Sequence, residues 1–223
     1  VVSGYSGMKK GQERAMSMAE TENQQLGLPK KLKAAPTELP RMAASDSEAG
    51  QFLASHKDLP SVLKYLNEER AAASRLERGE TPSDLTPTRV NSAMQATTGA
   101  NRALRDAVDS GHVYPGTVYR GVGMTPDKIQ EMIAKGEIKS DSIWSAAKDQ
   151  DYAAEFAKKS PGKGREGVVF EIDSRSAVPL DDVPGSNTYN EAAIPIGENF
   201  RITDSYRGAD GTMVVKLKRN YPS

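Results

Sequence analysis

The feature that most limits the fold is a change of texture at Gly111. From about residue 45 up to that point, apolar and small residues recur at helical spacing. Beyond it, short β-branched and aromatic runs are interleaved with two short helical stretches. In the first part, "SDSEAGQFLASH" sets Ser45 and Glu48 at capping-box spacing, with Asp46 as a first-turn acid. "PSVLKYLNEERAAASRLERG" carries Pro60 near its start, apolar Val62, Leu63 and Leu66, and Gly79 as a stop signal. "TPTRVNSAMQATTGANRALRDAVDSG" puts Leu104 and Val108 on one helical face. In the second part, "GTVYRGV", "SIWSA", "EGVVFEID", "EAAIPI", "NFRITDSYR" and "TMVVKLKRN" read as strands, and "GADG" as the turn between the last two. "TPDKIQEMIAKGE" reads as a helix with Thr125 as N-cap and Pro126 at its first position. "KDQDYAAEFAKK" reads as another. Helices first and strands after make an α+β chain.

The ends and the composition narrow the function classes. Residues 1–44 are polar and include "PKKLKAAPTELPR", which predicts a helix over about 8–25 followed by a Pro-containing linker. The catalytic unit is expected over 45–223, as helices 45–111 and a strand-rich core 112–223. A start on Val1 rather than Met is expected of a processed product or a fragment, and no signal-peptide core is present. No apolar run approaches the roughly 20 residues that span a bilayer. Thirty basic residues balance thirty acidic ones, so no global charge draws the chain to nucleic acid or anionic membrane. The absence of cysteine removes disulfides, thiolate nucleophiles and Cys-ligated metals. Two histidines far apart, His56 and His112, argue against a histidine metal site or a serine–histidine triad and read as surface or loop residues. "GKGREG" lacks the Gly-Lys-Ser/Thr ending of a P-loop.

Four stretches carry the chemistry: "NRALR", "VYRGV", "WSAAKDQDYAAEFA" and "NEAAIPIG". Arg120 lies in an apolar strand between Tyr119 and Gly121, where a buried guanidinium without a partner is costly. It either pairs with a core carboxylate or holds a phosphate, with Gly121 letting a ligand approach the backbone. Ser145, at a strand end, reads alone as an N-cap or a solvated hydroxyl, and Glu191 alone as a solvated strand residue. Trp144 is most simply core.

Taken in order, these stretches resemble the mono-ADP-ribosyltransferase toxins of the Arg–Ser–Glu class, which include bacterial binary and insecticidal toxins and bacteriophage enzymes. "YRG" matches that family's aromatic–Arg–Gly strand. "SAA" stands where Ser-Thr-Ser is expected, and "AAEFA" follows, with Ala153 eight residues after Ser145. Glu191 lies four residues before Pro195, and "TTGANRALR" is similar to the Asn-x-x-Leu-Arg helix that precedes the Arg strand. The resemblance covers about 90–219. It implies a helical N-terminal layer packed on a two-sheet mixed or antiparallel β core. It further implies cleavage of NAD+ at the nicotinamide–ribose bond without a metal, and transfer of ADP-ribose to a macromolecule, most simply a host protein in the cytoplasm of a target cell.

The roles follow residue by residue. Glu191 is the expected carboxylate at the ribose, Arg120 the cation at the diphosphate, Arg105 its helper, and Ser145 the hydroxyl that holds Glu191 in place. Gly121 offers backbone groups to the nicotinamide amide. Tyr119 flanks the arginine. Phe156 either packs its helix or touches ligand. Lys163 and Arg165 in "KKSPGKGREG" grip the phosphates or are simply solvated. Two departures matter. Ala146 and Ala147 replace the later hydroxyls, and Tyr189 stands where members that modify arginine carry Glu and those that modify asparagine carry Gln. Tyr189 and Asn190 are thus the expected target-recognition residues, while Asp181 and Asp182 lie too far upstream to substitute by spacing. NAD+ hydrolysis in the same cleft, and a non-enzymatic module of this fold, remain open alternatives. The first helices and linker either brace the catalytic half or dock a delivery or capsid partner.

Overall fold

The computed structural model describes residues 44–220 apart from 78, 81, 82, 160 and 174. Apart from Ala44, the expected extension 1–44 and its helix lie outside them. Helix α1 spans Ala44–Ala54. It is already running at Ala44, so Ser45 falls inside the first turn rather than ahead of it. Helix α2 (Leu59–Lys64) passes through a π turn, Tyr65–Glu69, into α3 (Arg70–Glu77). Gly79, at φ 75°, closes this run as expected: its N–H reaches Leu76 O at 3.0 Å and Glu80 N reaches Arg75 O at 3.1 Å. Helix α4 (Pro87–Asp109) starts on Thr86, whose hydroxyl accepts from Arg89 N, and buries Leu104 and Val108 among a row of alanines.

The strands are β1 (Val118–Met124), β2 (Glu137–Lys139), β3 (Trp144–Ala147), β4 (Glu166–Asp173), β5 (Val178–Pro179), β6 (Glu191–Ile194), β7 (Asn199–Arg207) and β8 (Met213–Arg219). Helix α5 (Pro126–Lys135) follows β1, capped by Thr125 as expected, and α6 (Gln150–Lys159) follows β3. The strands form one mixed sheet in the order β2-β7-β8-β4-β1-β3-β6-β5. Every pairing is antiparallel except β4 with β8.

The hydrogen-bonded ladder is therefore continuous, not divided into two sheets. Packing nevertheless makes two layers. Strands β3 and β7 stand four places apart in that order, which in a flat sheet is roughly 19 Å. Trp144 of β3 nonetheless stacks on Phe200 of β7 with ring centroids 5.5 Å apart, and on Phe170 of β4 at 5.7 Å. The sheet folds back on itself, and its inner face encloses Val118, Phe170, Ile194 and Leu217 with α5. On the outer face, α1 to α4 cover Ile143, Val178, Leu180 and Ala193. Helix α6 covers Val169 through Ala153 and Ala157. Each large side chain fully buried in these cores contributes about 1.5–3 kcal/mol.

Candidate active site

Strands β1, β3 and β6 are neighbours, and Tyr119, Ala147 and Glu191 share one row across them. Arg120 is one residue further along β1. Ser145, paired with Ala193, sits diagonally to Glu191 on the same face. Alternation along β1 sends Arg120 to the inner face beside Trp144, whereas Ser145 and Glu191 face the helical layer. β1 and β3 share a single bridge, Tyr119 with Ala147. Next to it the Arg120 side chain spans the seam: Nη1 donates to the Ser145 carbonyl at 2.8 Å, and the guanidinium lies 5.9 Å from the Trp144 ring centroid. The structure thus joins Arg120 to Ser145 directly, and joins both to Glu191 through strand pairing.

Glu191 is held from two sides. Its carboxylate Oε1 accepts from Arg70 Nη1 at 2.5 Å, and the two side chains are only 15% and 13% exposed. Its Oε2 accepts no hydrogen bond among the described residues. Its backbone N–H donates to Asp181 Oδ1 at 3.2 Å. Asn190, just before it, takes the left-handed conformation (φ 50°) that turns the chain into β6, and its carbonyl accepts from Lys148 N.

Asp181 is itself fixed by Lys148, whose Nζ donates to Asp181 Oδ2 at 3.0 Å and to Asp46 Oδ2 at 2.7 Å, 5.2 Å from the Tyr114 ring centroid. Burial alone would lower the Lys148 ammonium, but the two acids outweigh it and hold the group above the ordinary lysine range. Burial, with a smaller push from the Glu191 charge, holds the Asp181 carboxyl above the usual carboxylate range against the lowering effect of Lys148. The Tyr189 hydroxyl is buried with no hydrogen-bond partner among the described residues. Burial, then the nearby Asp181, pushes its pKa up.

Other expected site residues are placed differently. Arg105 donates to Glu198 and, at 2.5 Å, to the Ile196 carbonyl, while Asn101 Oδ1 accepts from Ile196 N at 2.7 Å. "NRALR" therefore clasps the turn after β6, and Arg105 is committed there rather than to a phosphate. Gly121 is needed by helix packing: a Cβ would fall 2.3 Å from Ala153 O. Its missing side chain thus makes room for α6 rather than for a ligand. Ser145 makes no hydrogen bond to the Glu191 carboxylate; Arg70 takes that place. Tyr119 packs under α6 with Ala153. Phe156 is half-buried on the flank of α6, and Lys163 and Arg165 are exposed in the loop beyond it. A groove of about 630 Å³ lined by Phe52, His56, Asp106 and His112 contains none of these residues. Among the described residues no group of acidic or histidine side chains could hold a metal ion, and no helix is long and apolar enough to cross a membrane.

No family model and no curated protein matches the chain by sequence. Solved structures do match by shape. The Vis toxin, an ADP-ribosyltransferase from Vibrio splendidus, superposes with a TM-score of 0.57 at 16% identity, over 80% of this chain and 79% of that one. ADP-ribosyltransferase Vis in complex with the M6 inhibitor gives 0.56 at 15% identity, over 94% and 85%. The type III effector XopAI from Xanthomonas axonopodis pv. citri gives 0.50 at 16%, over 74% and 63%. The chain has the ADP-ribosyltransferase fold. Within that fold, Arg70, Lys148, Asp46 and Asp181 are the residues that sequence reasoning missed or set aside. Asp181 and Asp182 stood out as the acids upstream of Glu191, but only the fold of the β5–β6 loop brings Asp181 to the Glu191 backbone.

Proposed function

We propose that the chain is a mono-ADP-ribosyltransferase that cleaves NAD+ at the nicotinamide–ribose bond and transfers ADP-ribose to a protein of a target cell. The observation that carries this reading is that, in an ADP-ribosyltransferase fold, Arg120, Ser145 and Glu191 lie on three neighbouring strands and the Arg120 side chain reaches from the inner face across the β1–β3 seam to the Ser145 carbonyl. The half-buried Glu191 carboxylate, with Oε2 free of protein donors among the described residues, suits the ribose 2′-hydroxyl and the positive charge that develops at the anomeric carbon. Arg120 serves the diphosphate from the β1–β3 seam, Ser145 lines the site on the Glu191 face, and the Gly121 backbone serves the nicotinamide amide. Tyr189 and Asn190, at the entry to β6, meet the acceptor. Labelled NAD+ incubated with a target-cell lysate tests the reading. The expected result is label on a protein, lost by about a hundredfold or more in Glu191→Ala with the fold intact. Unchanged NAD+ consumption in that variant refutes the assignment. One observation favours a second reading, NAD+ hydrolysis: both Asp181 oxygens are engaged, by Lys148 and by Glu191 N, so that acid is not at hand to deprotonate an acceptor. Free ADP-ribose with no labelled protein selects it.

A further inference from the structure

The contact that the proposed chemistry leaves unused is the ion pair between Arg70 and Glu191. It joins the helical layer to the acid at the start of β6 across 121 residues of sequence. Arg70 reaches Glu191 because it is the first residue after the π turn, where the helix is underwound and its phase shifts relative to a regular α-helix. That turn is pinned on two sides. Glu69, 1% exposed, accepts from Arg89 Nη1 at 2.9 Å and from Ser92 Oγ at 3.3 Å on α4. Asn67 donates to Gly185 O at 2.9 Å and accepts from Asn187 N at 3.1 Å, in the loop that leads into Tyr189. From this fixed segment the Arg70 guanidinium reaches back to Leu66 O through Nη2 at 3.5 Å and gives Nη1 to Glu191 Oε1, while Oε2 accepts from no described residue.

We propose that Arg70 is a positioning residue for the catalytic acid: by holding Oε1 of Glu191 it presents Oε2 to the ribose of NAD+. This rests on the assignment of Glu191 above. Arg70 touches neither sugar nor phosphate in this scheme; it acts through Glu191. A misoriented carboxylate loses its grip on the transition state more than on the bound dinucleotide, so the effect belongs in kcat.

The test compares NAD+ cleavage by the wild type, R70A, R70K and E191A, with a urea unfolding curve for each. For R70A, kcat should fall about tenfold to a hundredfold while KM for NAD+ stays within about twofold. R70K should recover part of the loss, and added guanidinium ion at low, non-denaturing concentration should restore R70A but not E191A. Where R70A does not fold, R70Q, which keeps a donor without the charge, takes its place. Wild-type kcat in the folded variant, or a loss that appears equally in KM and is insensitive to guanidinium, overturns the proposal. A wild type that cleaves no NAD+ overturns the ADP-ribosyltransferase reading and this one with it. An active wild type with an unimpaired R70A overturns this one alone.

Discussion

Lys148 shows how much of this site depends on one side chain. It neutralises one of two buried acids, so its loss leaves both Asp46 and Asp181 without a cation in a poorly solvated place. Breaking such a group by removing one partner costs about 3–5 kcal/mol. Lys148→Met should lower the urea midpoint accordingly and loosen the start of β6. The sign of the pH effect follows from the raised folded-state value. The lysine's contribution is fully present below its unfolded value of 10.5 and is lost as pH rises through the higher folded value. Wild-type unfolding free energy should therefore drop through that alkaline window, and Lys148→Met should show a smaller drop, the part that remains coming from the raised Tyr119 and Tyr189 hydroxyls. Asp181, also raised, contributes most below 3.8 and loses that contribution as pH rises through its folded value. At this scale, an arginine in an apolar strand and an acid before Pro195 stand out from the sequence because both contradict their local surroundings. Asp46 and Arg70 do not. An acid in a first helical turn and an arginine among alanines both suit a solvated helix, and only tertiary packing makes them buried partners.

Among the elements, those with a local signal were legible. Thr125 and Pro126 start α5, Gly79 ends α3, and "EGVVFEID" coincides with β4. Strands β2 and β5, three and two residues long, have too few positions to show alternation. The π turn is invisible for a different reason, since "YLNEE" has ordinary helical composition and its extra residue is accommodated by contacts with α4 and the β5–β6 loop. The fold-back of a single ladder also escapes prediction, because twist accumulates over strands that are distant in sequence. The contact between α6 and β1 is a sharper case. Gly121 leaves room for the Ala153 carbonyl, so Gly121→Ala should push α6 off the sheet at a cost of about 1–3 kcal/mol. The urea midpoint should fall by that amount. On the proposed function, NAD+ cleavage should fall with it, as the neighbouring Arg120 shifts from the seam.

Across the whole molecule, the helical layer and the strands share one core: Leu53, Tyr65 and Leu104 pack with Val178, Leu180 and Ala193. The helical layer and the outer face of the strands cannot bury this shared surface apart, so the boundary at Gly111, plain in composition, is a boundary of texture and not of stability. Trp144, the only tryptophan, reports on the inner core, while far-ultraviolet circular dichroism is dominated by the helices. The two signals should trace coincident urea transitions. Separate midpoints would show that the halves unfold independently. The parallel pairing of β4 with β8 carries a consequence in time. β8 lies between β4 and β7, well inside the sheet, yet it is the last strand in sequence among the described residues. A polypeptide emerging from a ribosome, or threading through a narrow passage amino end first, must keep that slot vacant until residue 219 has cleared the exit. Until then β4 and β7 each present an unpaired edge, and the sheet cannot close ahead of β8.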